Sequence, residues 1–221
     1  IVFSASGPEI KPYELMQIIH KVEKLEKPDI VTISGSLPHG IHPEIYRKII
    51  EIAKNKGAKT VLDTDGDALK VGIQGLPDTI KPNVHELSRL VGVELKEIGG
   101  IISAAHGVHK KGIRIVLVSM GARGILMLEE NGQHVATPPK VEVKNTIGAG
   151  DSAVAGFVYG LVMGKSLKEA LIFAVAAGTA TTADSAAGWQ SARYSPWCHR
   201  SRISSWQRHP RRQSGIRRIP W

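Results

Sequence analysis

The chain has 221 residues, 42% of them hydrophobic and 22% charged, ordinary values for a globular domain with a sizeable core. No run of 18 apolar residues is present, so no transmembrane helix is expected, and the single cysteine, Cys198, rules out an internal disulfide framework and fits a cytoplasmic setting. The formal charge of +9 is concentrated in residues 189–221, which hold eight Arg and no Asp or Glu; the rest of the chain carries 21 basic against 20 acidic side chains, about +1.

Ile1-Val2-Phe3-Ser4 reads as the end of a strand, with no initiator Met and no basic signal head, so the chain is expected to begin inside a domain. From Lys11 to Glu26, Leu15, Ile18, Ile19, Val22 and Leu25 form a helical stripe with Pro12 near its start. A buried strand is expected at Asp29–Ile33. Pro43 then opens a helix with Ile45, Ile49, Ile50 and Ala53 on one face, ended by Gly57. Lys59–Asp63 is the next strand, followed by a short helix near Asp67–Val71. A brief strand at Thr79–Lys81 leads to a helix over Val84–Val91. Gly99, Gly100 and Gly107 interrupt the segment 94–111, whose remaining pattern is that of a helix. Ile113–Ser119 is a strong strand. Gly124–Glu129 and Gln133–Thr137 form a hairpin around Asn131-Gly132. Two helices follow near 151–163 and 167–186, the second opened by a capping box at Ser166 and Glu169. Such alternation predicts a mostly parallel sheet covered by helices. The segment from Trp189 onward shows neither helical nor strand period and is expected to be disordered.

The sharpest chemical signal is Asn145-Thr146-Ile147-Gly148-Ala149-Gly150-Asp151-Ser152. Two glycines permit a tight turn and close backbone approach to a ligand, and the amide end of the following helix favours a phosphate or a developing anion. A carboxylate at Asp151 is badly placed to bind an anion but well placed to take a proton from a hydroxyl beside it. The competing readings are a helix N-cap at Asp151 and a loose dinucleotide fingerprint, Gly148-x-Gly150-x-x-Ala153. Gly160 to Ser166 is one residue short of a P-loop and follows a helix, which excludes that reading. His39-x-x-His42 and His106-x-x-His109 lack a second ligand pair, which argues against a structural metal site.

Around this turn, Val143 to Ser152 resembles the signature of PfkB carbohydrate kinases of the ribokinase-like type. Further segments match that family in order. Ser34-Gly35-Ser36-Leu37-Pro38 is similar to its sugar-side loop, and Leu62 to Leu69 to the branch containing 1-phosphofructokinase, the minor 6-phosphofructokinase and tagatose-6-phosphate kinase. Lys81-Pro82-Asn83-x-x-Glu86 is similar to its metal and phosphate motif, and Ser119 to Gly124 to its nucleotide loop. The resemblance covers residues 1–188 and implies a partial ribokinase-like domain, a three-layer α/β/α sandwich with a mostly parallel central sheet, followed by a basic tail over 189–221.

It also implies ATP-dependent phosphorylation of a ketohexose phosphate to the bisphosphate, the candidates being fructose 1-phosphate, fructose 6-phosphate and tagatose 6-phosphate. Asp151 would be the general base, and Gly148, Ala149 and Gly150 would donate amides to the transferring phosphoryl group. ATP would lie against Lys81, Asn83, Glu86, Ser119, Gly121, Gly124 and Gly150. Mg²⁺ would be held by Glu86 and Asn83 through water. The acceptor would meet Ser36, Ser34, Asp63 and Asp151. Taken by themselves, Ser34 and Ser36 could simply form a turn, Asp63 could cap a helix, Glu86 could be a solvated first-turn carboxylate and Ser119–Gly124 a plain β-turn.

Two departures from the family are expected to matter. The family's N-terminal strands and small β lid, often a dimer contact in these kinases, have no counterpart here. The match also stops near Gly188, where Lys gives way to Arg and all four tryptophans occur, as an out-of-frame or misassembled segment would read. An inactive nucleotide-binding remnant is the alternative; nucleic-acid binding through the Arg/Trp tail is a third reading, unsupported by any folded motif.

Overall fold

From Lys11 to residue 130 the apolar runs become strands or helices close to their predicted places, whereas Ile1–Ser4, read as the end of a strand, lies outside the described residues. The computed structural model describes residues 7 and 9–183, together with the backbone of 202–206 and 217–218. In chain order these are α1 (Pro12–Glu23), β1 (Ile30–Ser34), α2 (Glu44–Asn55), β2 (Lys59–Asp63), α3 (Gly66–Gly72), β3 (Thr79–Ile80), α4 (Val84–Val91), α5 (Ile98–His109), β4 (Ile115–Ser119), β5 (Ile125–Glu129), β6 (Gly132–Thr137), α6 (Ala149–Val162) and α7 (Leu167–Ala183). Strands β7 (Arg202–Trp206) and β8 (Arg217–Arg218) complete the described elements.

The strands lie side by side in sequence order. Strands β1 to β4 are mutually parallel, β5 turns back against β4, and β6 pairs antiparallel with β5. Consecutive residues of a strand point to opposite faces, so the central strands must be apolar on both. Val116, Val118, Leu126 and Leu128 pack into the cluster built with α1 to α5. Their neighbours Leu117, Ile125 and Met127 pack with Phe157 of α6 and Leu171 of α7. The sheet is thus sandwiched between two helical layers, as expected for a three-layer α/β/α fold.

Small residues let α6 and α7 touch backbone to backbone. A Cβ on Gly156 would lie 2.4 Å from the Phe173 carbonyl oxygen, and one on Gly160 would lie 2.7 Å from Ala170 Cα. Two segments go beyond what the sequence pattern settles. Residues 98–109 form a regular helix despite three glycines, because Ile101, Ala105 and Val108 make a continuous buried stripe. Within the tail, where no strand period is legible, β7 pairs antiparallel with β6 and β8 with β7; the rest of 189–221 lies outside the described residues.

Candidate active site

The carboxyl ends of β1 to β4 deliver one polar group after another to a common edge, where open α/β sheets bind ligands. Parallel register sets Ser34 of β1 opposite Asp63 of β2. The Lys81 amide donates to the Leu62 carbonyl at 3.1 Å, so Lys81 emerges beside Asp63. A bridge between Asn83 and Ser119 extends the β3–β4 pairing and brings Ser119 to the same edge. Asp63, Lys81, Asn83 and Ser119 line a cleft of about 450 Å³ together with Ser36, Glu86, Gly148, Gly150 and Asp151.

Lys81 and Asp63 form the floor. The ammonium lies 3.1 Å from Asp63 Oδ1, with side chains only 5% and 12% exposed. Burial raises the Asp63 carboxyl above its ordinary range; Lys81 opposes that shift, and the nearby charge of Asp151 adds to it. A Cβ built on Gly150 would stand 3.4 Å from Lys81 Nζ, so the second glycine of the turn gives the ammonium its room.

Asn83 and Glu86 open α4 as a capping box. Glu86 Oε2 accepts from the Asn83 amide at 2.7 Å, Oε1 accepts from Asn83 Nδ2 at 2.7 Å, and Asn83 Oδ1 accepts from the Glu86 amide at 2.9 Å. Burial raises the Glu86 carboxyl; the Asn83 amide and Lys81 oppose the shift, while Asp63 and Asp65 add to it. Glu86 is therefore a structural cap that also faces the cleft. Its oxygens keep further lone pairs, which suits contact with a cation through water. Among the described residues no three His, Cys, Asp or Glu side chains converge to hold a metal without other ligands.

The glycine turn reaches the cleft from the other side of the sheet. The Asn145 side chain accepts from the Ile147 amide at 2.9 Å, and the Lys144 amide donates to the Thr182 carbonyl at 2.8 Å, which ties the turn to the end of α7. Gly148 takes a left-handed conformation (φ 76°) and is itself the N-cap of α6. Asp151 is therefore the third helical residue and not the cap. Its carboxylate is exposed and lines the cleft, with no hydrogen bond or ion pair among the described residues.

Four predicted residues fall outside the cleft lining. Ser34 is exposed at the end of β1, one residue short of the turn that carries Ser36. The Ala149 amide is taken by the Thr146 carbonyl at 3.3 Å, so it is not free for a ligand in this conformation. Gly121 lies in a single 3₁₀ turn, φ 59°. Gly124, φ 90°, is required by packing: a Cβ there would lie 1.9 Å from the Ala136 carbonyl oxygen of β6. Conversely, Gly35, Leu37, Thr64, Asp65 and Ala68 line the cleft without having been singled out. Asp65 was legible as the polar residue before a short helix: it caps α3, accepting from the Gly66 amide at 2.6 Å, and Arg89 of α4 binds its carboxylate.

This combination defines an open α/β protein whose ligand cleft joins a buried Lys–Asp pair, a capped carboxylate and a glycine-turned helix start. Residues 3–190 match the family described as pfkB family carbohydrate kinase, and the chain belongs to that family. It is 35% identical over 187 residues to 1-phosphofructokinase of Escherichia coli (strain K12), covering 84% of this chain and 60% of that protein. It is 40% identical over 161 residues to 1-phosphofructokinase of Haemophilus influenzae, covering 72% and 51%. The structure of phosphofructokinase-2 from Escherichia coli in complex with potassium superposes with a TM-score of 0.84 at 32% identity, covering 89% of this chain and 65% of that one. The chain therefore spans about 60% or less of the length of these curated relatives.

Proposed function

We propose that the cleft transfers the γ-phosphoryl group of ATP to a hydroxyl of a ketohexose phosphate, with Asp151 as the general base. The observation that carries this reading is the Asp151 carboxylate, unpaired among the described residues and facing the cleft beside a helix start. An acceptor hydroxyl at that carboxylate loses its proton as its oxygen attacks the phosphoryl group. A positioned base of this kind contributes about 10²–10⁴-fold. The first-turn amides of α6 have no intrahelical acceptor, and those of Gly150 and Asp151 would face the charge on the transferring group. Lys81 would offer a positive charge from the floor, held in place by Asp63.

The cleft fits a magnesium–nucleotide complex on the chemistry of its donors. Asp63, Asp65, Glu86 and Asp151 all line it, against Lys81 alone, so a polyphosphate needs a cation to enter. Mg²⁺, when bound, supplies charge neutralisation on the phosphates, with Glu86 and Asn83 as its water-mediated holders. Ser36 and Asp63 face the acceptor side. Retention of all these groups favours turnover over an inactive remnant.

The test is ADP release by the purified 221-residue chain with ATP, Mg²⁺ and, separately, fructose 1-phosphate, fructose 6-phosphate and tagatose 6-phosphate. Release that depends on one of these sugars supports the reading. ATP binding with no sugar-dependent release overturns it.

A further inference from the structure

We infer that Tyr46 and Thr64 are positioning residues that hold the acceptor-side turn Gly35-Ser36-Leu37; their effect on acceptor binding rests on the phosphoryl-transfer reading above. The Gly35 carbonyl accepts from Thr64 Oγ1 at 2.6 Å and from Tyr46 OH at 3.1 Å, which occupies both of its lone pairs. On the other side of the residue, the Gly35 amide donates to the Asp63 carbonyl at 3.0 Å. Both hydroxyl-bearing residues are buried, Tyr46 at 8% and Thr64 at 6% exposure, so water competes poorly for these bonds.

The turn needs such restraint. Gly35 sits at φ 96°, a conformation reached by glycine and rarely by other residues, and glycine left alone samples many others. The peptide unit is planar and trans, so fixing the direction of the Gly35 carbonyl also fixes that of the Ser36 N–H. Ser36, which lines the cleft, begins at that same plane. Tyr46 lies on α2 within the main apolar cluster, where a phenyl ring would fill almost the same space. Its hydroxyl reaches out of that cluster to this one carbonyl. Thr64 directly follows Asp63, so one short segment supplies both the carboxylate that pairs with Lys81 and the donor that orients the serine turn. The two hydroxyls therefore act on the acceptor side of the cleft, a phosphorylated sugar by chemical class, and not on the nucleotide side.

The experiment compares Tyr46→Phe, Thr64→Val, the double variant and Thr64→Ser by steady-state kinetics and by amide hydrogen exchange. Losing both hydrogen bonds should raise the KM for the accepting sugar phosphate about tenfold or more, with the KM for ATP unchanged. Thr64→Ser, which keeps the hydroxyl, should behave as the parent chain. Amides of residues 35–37 should exchange faster in the double variant while those at the start of α6 do not. Equal rises in both KM values, or unchanged exchange at 35–37, would overturn the inference. Exchange is read without turnover: a chain that proves inactive with all three sugars sinks the proposed function, yet this arm still decides whether the two hydroxyls hold the turn.

Discussion

Replacing Lys81 by Met isolates the energetic role of the cleft floor. The substitution keeps the length of the stem and removes the ammonium 3.1 Å from Asp63, whose side chain is 12% exposed. Breaking a buried ion pair from one side costs about 3–5 kcal/mol when the remaining charge cannot relax. Asp63 has a way to relax, since it can take up a proton. Its carboxyl already ionises above the ordinary range through burial, and loss of Lys81 removes the main influence opposing that shift. A carboxyl raised in the folded state contributes stability that is complete below its unfolded pKa and is lost as pH rises through the folded one. In the variant that window extends to higher pH. The destabilisation relative to the parent chain should therefore approach its full value near pH 8 and shrink on acidification, at about 1.4 kcal/mol for each pH unit in the window where Asp63 takes up its proton. Urea unfolding at several pH values from 8 down to 5 reads this directly. Adding Asp63→Asn to Lys81→Met should recover most of the lost stability. A pH-independent loss, or no recovery in the double variant, would refute the argument.

Other outcomes follow from single contacts. Asn83→Ala removes the cap of α4 and should cost about 1 kcal/mol in urea unfolding, while also freeing Glu86 and raising the Mg²⁺ concentration needed for half-maximal turnover. Gly156→Val drives a side chain into the Phe173 carbonyl, 2.4 Å from the added Cβ; it should cost about 3 kcal/mol, seen as a lowered thermal midpoint, and no loss would contradict the α6–α7 packing. Gly124→Ala should destabilise the chain through contact with the Ala136 carbonyl, and a change in ATP affinity at unchanged stability would restore Gly124 as a nucleotide contact.

Much of the fold could be read from the sequence because its apolar periods are clean. The predicted bounds of β2 and α4 coincide with the observed Lys59–Asp63 and Val84–Val91, and the Ser166–Glu169 capping box forms as the spacing suggested. Helix α5 was obscured because three glycines weaken local propensity, whereas tertiary burial of one stripe decides the outcome. Pairing of β7 with β6 follows from an available sheet edge and leaves no period in the sequence. At the site, motif residues at strand ends and helix starts were legible because position along the chain implies position at the sheet edge. Thr64 and Gly35 were not, since their importance arises from a hydrogen bond across 29 residues. Gly124 and Ala149 sit within the right motifs, yet their constraint is the backbone of Ala136 and Thr146.

The proposed phosphoryl transfer depends above all on one side chain, Asp151. Asp151→Asn is nearly isosteric and leaves the turn, the helix start and the Lys81–Asp63 pair in place. Measured with the sugar phosphate that supports ADP release, kcat should fall by roughly 10²–10⁴-fold while ATP still binds with unchanged affinity. A variant that keeps more than about a tenth of the parent rate would show that the proton goes elsewhere, contradicting Asp151 as the base.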